Sequence, residues 1–292
     1  MLAVALSLAA AATFALSAMQ IDSVTGRVGA LQLARWQMGL AFAMTAAVAL
    51  AFGGWRSIGM AEFFWLAGSS VAGIMLATST FIATIQLLGP RLNALVFTLS
   101  APFALILGYN FRDETVNLTQ GAGVALILGG IVLALIGPDG CEGARGPRTL
   151  GLGLALGVIT ALGQATGSLL ARPAMQAGAE PFAAMAIRSG LGAAFFLALL
   201  AVPALRPAAQ PLPKDRRRIG ASAFSGIFLG MSLLMAALAH GDVGIVTTLS
   251  STTPILILPM VWWVTRRAPG PTAWAGAGLA VLGTALITFA SR

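Results

Sequence analysis

The chain has 292 residues, of which 58% are hydrophobic and 9% are charged, and its formal net charge is +8. Its mean hydropathy of +0.90 excludes a water-soluble domain, in which about a quarter of the residues are charged. The basic residues lie in short connections between apolar runs, with no stripe of basic and aromatic residues, which excludes a nucleic-acid partner.

Apolar runs without charge predict ten membrane spans, because a helix needs about 20 residues to cross a hydrocarbon core about 30 Å thick. Arg188 is the only charged residue inside a predicted span. The sequence therefore predicts an all-α polytopic membrane protein with lipid around it. In chain order, the predicted spans are 1–21, 36–55, 63–90, 92–111, 115–138, 149–171, 181–205, 219–239, 243–265 and 268–291.

The first run has a second interpretation, because Ala15-Leu16-Ser17-Ala18 resembles a signal-peptide cleavage site. No basic residue precedes it, and the run has a counterpart in the second half, so we expect a retained span. Most Lys and Arg, including Arg216, Arg217 and Arg218, lie in the odd-numbered connections. Basic connections stay in the cytoplasm, which predicts that both termini lie outside.

An internal repeat relates the two halves at an offset of about 152 residues, as in Pro102 against Pro254. Five spans per half would make the second half enter the membrane from the opposite face. The sequence thus predicts two inverted five-helix repeats around a central cavity, with a midplane binding site and alternating access. The predicted units are residues 1–138, a connecting loop at 139–148, and residues 149–292.

Several duplicated motifs carry a resemblance. Pro lies in spans four and nine, Gly-Ala-Gly opens spans five and ten, and His240-Gly241-Asp242 precedes span nine. Together they resemble the EamA-like branch of the drug/metabolite transporter superfamily and, within it, the amino-acid exporters. The resemblance implies an inner-membrane exporter whose cavity is lined by spans one, three, four, six, eight and nine. The first span lacks the embedded Glu of small multidrug members, which argues against proton-coupled export of cationic drugs.

Polar side chains inside the spans are the candidate substrate contacts, because lipid cannot satisfy them. The alternative for Ser and Thr is a bond within their own helix, and for the amides it is a bond between helices. Arg188 and its counterpart Arg35 could hold a carboxylate or reach the headgroups. Pro102 and Pro254 predict kinks that either gate the cavity or shape it. The cavity candidates are Ser17, Thr78, Ser79, Gln86, Asn93, Gln164, Ser168, Ser251, Thr252 and Arg188.

A carrier is the predicted function class. An intramembrane enzyme needs paired carboxylates, an activated nucleophile or a metal, and the spans contain no such set. One cysteine and one histidine also leave no cysteine-ligated or multi-histidine metal site, so no cofactor or metal is expected. A channel is disfavoured because its rings usually come from several subunits. We expect facilitated or weakly coupled export of amino acids or related metabolites. A multidrug or metabolite/proton antiporter is the alternative, and a monomer is compatible with the sequence.

Overall fold

The computed structural model describes residues 2–112, 117–136, 146–206, 210–240, 249–250, 252–266 and 268–290, and these residues form helices and turns. Apolar runs without charge become helices because a helix pairs its backbone groups within the segment. The prediction of an all-helical protein is confirmed for this part of the chain. The α-helices are α1 (Leu2–Asp22), α2 (Ala30–Ala51), α3 (Met60–Ser70), α4 (Ala77–Phe97), α5 (Ser100–Arg112), α6 (Leu118–Ile136), α7 (Pro147–Gln176), α8 (Pro181–Ala198), α9 (Pro213–Ser222), α10 (Ser232–His240), α11 (Thr253–Thr265) and α12 (Pro271–Phe289).

Seven helical stretches in the described part are long and apolar enough to cross a membrane, which makes this a multi-pass membrane protein. Two shorter apolar helices, Thr253–Thr265 and Pro271–Ile287, follow near the C-terminus. The seven stretches are Ala3–Asp22, Ala30–Ala51, Met60–Phe97, Leu118–Leu135, Pro147–Gln176, Pro181–Ala201 and Pro213–Ala237.

The 38-residue stretch Met60–Phe97 contains a break at Gly89, whose φ of 79° and ψ of 168° suit only glycine. Pro90 follows it and cannot donate a helical hydrogen bond. The chain therefore turns where the sequence predicts the end of the third span.

A second break lies at Thr98 and Leu99, between α4 and α5. Pro102 comes next, in the first turn of α5, and Pro254 likewise lies in the first turn of α11. The first turn tolerates proline because its N–H groups have no helical partner. Both predicted kink residues thus stand just after a helix start, and in the first half the bend precedes the proline.

Two π-helical segments occupy matched positions in the two halves. Val71–Leu76 joins α3 to α4, and Ala223–Met231 joins α9 to α10. Gly73 of the first segment packs against α7, where a Cβ would lie 3.2 Å from the Gly167 Cα. Gly226 of the second packs against Ser17 of α1. Each π segment therefore contacts the first helix of the other half, and such segments often mark functional positions.

Helices α6 and α12 pack closely through facing glycines, as do helices of membrane proteins that rely on small residues at their contacts. A Cβ at Gly130 would lie 2.5 Å from the Gly276 carbonyl oxygen, and Gly123 faces Gly283 in the same way. At the start of α6, Asn117 Nδ2 donates to the Ala290 carbonyl oxygen at 2.8 Å, just past the end of α12. Glycine contacts therefore hold α6 and α12 together along their length, and a hydrogen bond joins them at one end.

We expect Gly130→Ala to destabilise the protein by about 1–3 kcal/mol, because its Cβ would push α12 away. The adjacent Gly129 faces open space, and an added Cβ there would have no atom within 4 Å. Gly129→Ala is therefore the matched control. Thermal unfolding of the purified variants in detergent measures both. Equal melting temperatures for the two variants would contradict the close contact between α6 and α12.

Candidate functional site

Arg188 is the largest side chain that is fully buried, and it lies in the middle of α8 with 0% exposure. Its Nη1 lies 3.6 Å from the Met185 Sδ, a weak acceptor. Its Nε and Nη2 have no hydrogen-bond partner among the described residues. Arginine is always charged in proteins, so a positive charge with free donors lies inside the helix bundle.

The π segment Val71–Leu76 forms one wall around this guanidinium. A Cβ at Gly73 would lie 2.9 Å from the Arg188 Nη2, so the absence of a side chain makes room for the cation. Ser70 Oγ donates to the Arg188 carbonyl oxygen at 2.7 Å, and Ser69 Oγ donates to the Gly167 carbonyl oxygen at 2.6 Å. Segments from both halves of the chain, α3 with its π segment and α7 with α8, therefore meet at the guanidinium.

Acidic residues in the described part lie at helix ends, away from Arg188. Glu62 Oε2 accepts from the Gly59 N–H at 2.9 Å, and Glu180 accepts from Phe182 N at 3.0 Å and caps α8. Asp215 pairs with Arg27 at 2.9 Å, which is the only salt bridge found among the described residues. An unpaired charge buried away from water is strongly unfavourable. The arrangement around Arg188 is therefore suited to receive an anion.

Among the described residues, no group of three or more His, Cys, Asp or Glu side chains converges on one point.

Arg35, the counterpart of Arg188 in the repeat, has a structural partner. Its Nε donates to the Phe196 carbonyl oxygen at 3.0 Å, although its Nη2 is buried without one. Phe196 lies in the last turn of α8, where free carbonyl groups and the helix dipole favour a cation. The two arginines therefore differ in their contacts. Arg35 donates to a carbonyl group in the last turn of α8, whereas the Nε and Nη2 of Arg188 both lack a partner among the described residues.

Four predicted cavity residues use their polar atoms on nearby backbone. The hydroxyls of Ser79 and Thr252 donate to the carbonyl oxygens of their own segments, Met75 at 2.8 Å and Leu249 at 2.7 Å. Ser17 and Gln86 reach further: Ser17 Oγ donates to the Ser222 carbonyl oxygen at 3.0 Å, and Gln86 Nε2 donates to the Val28 carbonyl oxygen at 2.8 Å. For Ser79 and Thr252, the alternative of a bond within their own segment describes the observed contact.

Asn93 resembles Arg188, because it is 1% exposed and neither its Oδ1 nor its Nδ2 has a partner among the described residues. Gln164 Nε2 and Ser168 Oγ lie 3.4 Å apart on α7, the only hydrogen bond between two predicted cavity residues in the described part. Thr78 is buried in α4. Ser251 lies outside the described residues.

A network that the sequence analysis did not foresee joins the α1–α2 corner to α9 and the π segment after it. Besides the Arg27–Asp215 pair, Gln37 Nε2 donates to Ser222 Oγ at 2.7 Å, and Ser225 Oγ donates to Gln20 Oε1 at 2.8 Å. The sequence analysis used the basic residues of the odd-numbered connections, to which Arg27 belongs, only to predict the orientation.

The corner between α7 and α8 corresponds to the α1–α2 corner in the repeat, and its contact with the other half is a hydrogen bond rather than an ion pair. There the Glu180 N–H donates to Ser57 Oγ at 2.8 Å, near the start of α3. The connections after spans one and six correspond to each other through the repeat offset, but that offset alone does not predict which side chains they contact.

Comparison with known proteins gives a family match. The model of the EamA-like transporter family matches residues 1–136 and 151–289. A solved structure described as "Crystal structure of protein" superposes with a TM-score of 0.72 at 18% identity, over 99% of this chain and 97% of that one. That similarity concerns the fold alone. No curated protein sequence matched this chain.

We expect Arg188→Met to leave the free protein equally stable or to stabilise it by about 1–4 kcal/mol, because it replaces an unpaired buried charge with an apolar side chain of similar length. Arg35→Met should destabilise the protein, since it removes the hydrogen bond to Phe196. Thermal unfolding without added substrate compares them. A large loss of stability in Arg188→Met would reveal a structural partner for the guanidinium.

Proposed function

This chain belongs to the EamA-like transporter family, within the drug/metabolite transporter superfamily, and on that premise we propose that it is an inner-membrane carrier exporting amino acids or related small metabolites. Transport proceeds by alternating access between the two halves. A family of transporters agrees with the predicted exclusion of an enzyme. The substrate is a small molecule, and lipid surrounds the carrier.

The proposed architecture has ten spans in two inverted repeats, residues 1–138 and 149–292, joined by the loop at 139–148. The family match supports it, because it falls in two segments on either side of that loop. The matched π segments support it as well, since each contacts the first helix of the opposite half. Glu62 and Asp215 add a third correspondence, as both occupy the third position of the helix that precedes a π segment.

The observation that carries the proposed function is the uncompensated guanidinium of Arg188, where segments of both halves meet. Amino acids and many related metabolites share a carboxylate, which fits the forked donors of arginine with two parallel hydrogen bonds. A substrate held there contacts both halves at once, so the strength of its binding depends on how the two halves are placed relative to each other. Asn93 offers a second set of unused donors and acceptors deep in the protein.

Alternating access requires each end of the molecule to open in turn. The Arg27–Asp215 pair and its neighbouring hydrogen bonds close one end, and the Glu180–Ser57 contact ties the corresponding corner at the other. The basic residues near the first end, including Arg217 and Arg218, support a cytoplasmic location for it and outside locations for both termini. Opening towards the cytoplasm then means breaking the ion pair.

A multidrug transporter, the alternative function, would need a site that binds cations. A cationic drug would meet the positive charge of Arg188, and the predicted spans contain no carboxylate to attract it. Transport of dyes would therefore need a binding region remote from α8.

We expect cells that overproduce the protein to resist toxic amino-acid analogues, and to lose that resistance with Arg188→Gln or Asn93→Ala. Arg35→Gln is the matched control, because it removes a guanidinium of the other half while its amide keeps a donor for the Phe196 carbonyl oxygen. Growth on neutral, aromatic and acidic analogues and on cationic dyes gives the measurement, with protein levels determined by immunoblot. Resistance to dyes alone would replace amino-acid export with the multidrug function.

We expect Asp215→Asn to open the end closed by the ion pair more often, because Arg27 loses its charged partner. A reporter cysteine replaces Ala18, which is 3% exposed, in a Cys141→Ser background. Labelling by a membrane-impermeant thiol reagent in inside-out vesicles should accelerate several-fold. Glu62→Gln is the control, since Glu62 bonds to the backbone N–H of Gly59. An unchanged rate in Asp215→Asn would remove the ion pair from the proposed closure.

A further inference from the structure

The charge balance of the predicted spans narrows the substrate class. All nine acidic residues of the chain lie outside the ten predicted spans. Four of them, Asp22, Glu62, Glu180 and Asp215, lie at helix ends in the described part. The other five lie in predicted connections, at positions 113, 114, 139, 142 and 242. No carboxylate is therefore placed within a predicted span to neutralise a positive group on a substrate.

The guanidinium of Arg188 already contributes one positive charge to the site. A bound zwitterion leaves the complex with that charge, and a bound cation raises it to two. Only a bound monoanion makes the complex neutral. Net charge near the bilayer midplane is costly, and neutral donors cannot cancel the charge of a ligand.

Apolar side chains pack against this part of α8, together with the hydroxyl group of Ser70, which donates to the Arg188 carbonyl oxygen. Ile187 and Met185 belong to a buried cluster with Leu66 of α3 and with Met231 and Met235 of the second π segment and α10. An ammonium group next to the guanidinium would meet its like charge, and the cluster, which reaches the guanidinium at Met185, offers only weak sulfur acceptors. A second positive group is thus disfavoured both by repulsion and by lost hydration.

We propose that the preferred substrates are organic monoanions: small carboxylic acids without a free ammonium group, such as keto acids, hydroxy acids or N-acylated amino acids. The inference rests on the proposed function and narrows its substrate class. The carboxylate binds the Nε and Nη2 of Arg188, the two nitrogen atoms without partners. Zwitterionic amino acids bind more weakly at the same place.

A direction of transport follows from this substrate class. Each cycle that carries a monoanion alone moves one negative charge across the membrane. A membrane potential of 100 mV, negative inside, then favours an outside-to-inside concentration ratio of about 50-fold. Export therefore needs no coupling carboxylate in the first span, because the potential itself drives an anion out of the cell.

Purified full-length protein in liposomes tests the proposal with probes that share one side chain. The probes are N-acetylphenylalanine, phenylalanine and phenylalaninamide, with charges of −1, 0 and +1, and the corresponding leucine series. Potassium gradients with valinomycin set the potential. We expect efflux of the acetylated acid to be at least ten-fold faster than that of the amino acid, and to accelerate several-fold when the lumen becomes negative. Efflux of the zwitterion should not respond to the potential.

Variants of Arg188 separate charge from shape. Arg188→Lys keeps the charge and should keep the preference for the anion at lower affinity, Arg188→Gln should lose the preference, and Arg35→Gln should retain it. The wild-type potential dependence stands as a readout even if a variant fails to fold. Equal or faster transport of phenylalanine, or anion efflux that ignores the potential, would overturn the monoanion proposal and leave the carrier intact. If no probe crosses faster than in protein-free liposomes, the proposed function and this inference both fail.

Discussion

Lipid offers no hydrogen-bond partners, so each polar group between the membrane faces must find its partner within the chain. Most hydroxyl groups do so at short range, as Thr45 Oγ1 does with the Ala41 carbonyl oxygen at 2.8 Å. Others join neighbouring helices, as Thr160 Oγ1 does with Thr80 Oγ1 at 2.7 Å. Buried polar groups that have no hydrogen-bond partner among the described residues are therefore exceptions. Arg188 and Asn93 have both high burial and free polar atoms.

Close backbone contact is the second constraint, and it decides where the halves can meet. Apolar side chains gain little by leaving lipid for protein, so helices in membranes associate through packing and hydrogen bonds. Gly73 and Gly167 bring two backbones together beside Arg188, and Gly130 and Gly276 do so between α6 and α12. The first contact has an adjacent unsatisfied charge, whereas the second is apolar. Close glycine contacts therefore form part of the candidate site at Gly73 and a structural contact between helices at Gly130.

The sequence predicted the helices well because a charge-free apolar run can satisfy its backbone only as a helix. It did not predict the break at Thr98 and Leu99, since the bend precedes Pro102 and depends on how the following turn packs. Arg35 and Arg188 also look alike in sequence, at matched places in their spans. The structure tells them apart, because Arg35 is partly exposed and donates to the Phe196 carbonyl group, whereas Arg188 is fully buried. Side-chain partners across the halves depend on tertiary contacts, which local sequence patterns do not specify.

The two kinds of charged contact have different energetic consequences for a moving carrier. Arg27 is 39% exposed while Asp215 is 1% exposed, so their ion pair lies at the edge of the protein. When that end opens, water can hydrate both groups, and the cost of separation stays small. Arg188 is fully buried and has no charged partner among the described residues, and in the proposed function an anionic substrate compensates its charge. In the proposed mechanism, the carrier therefore gates at its ends, where water can hydrate the two separated members of an ion pair. The same proposal has it select its substrate in the interior, where an unmatched charge is most costly.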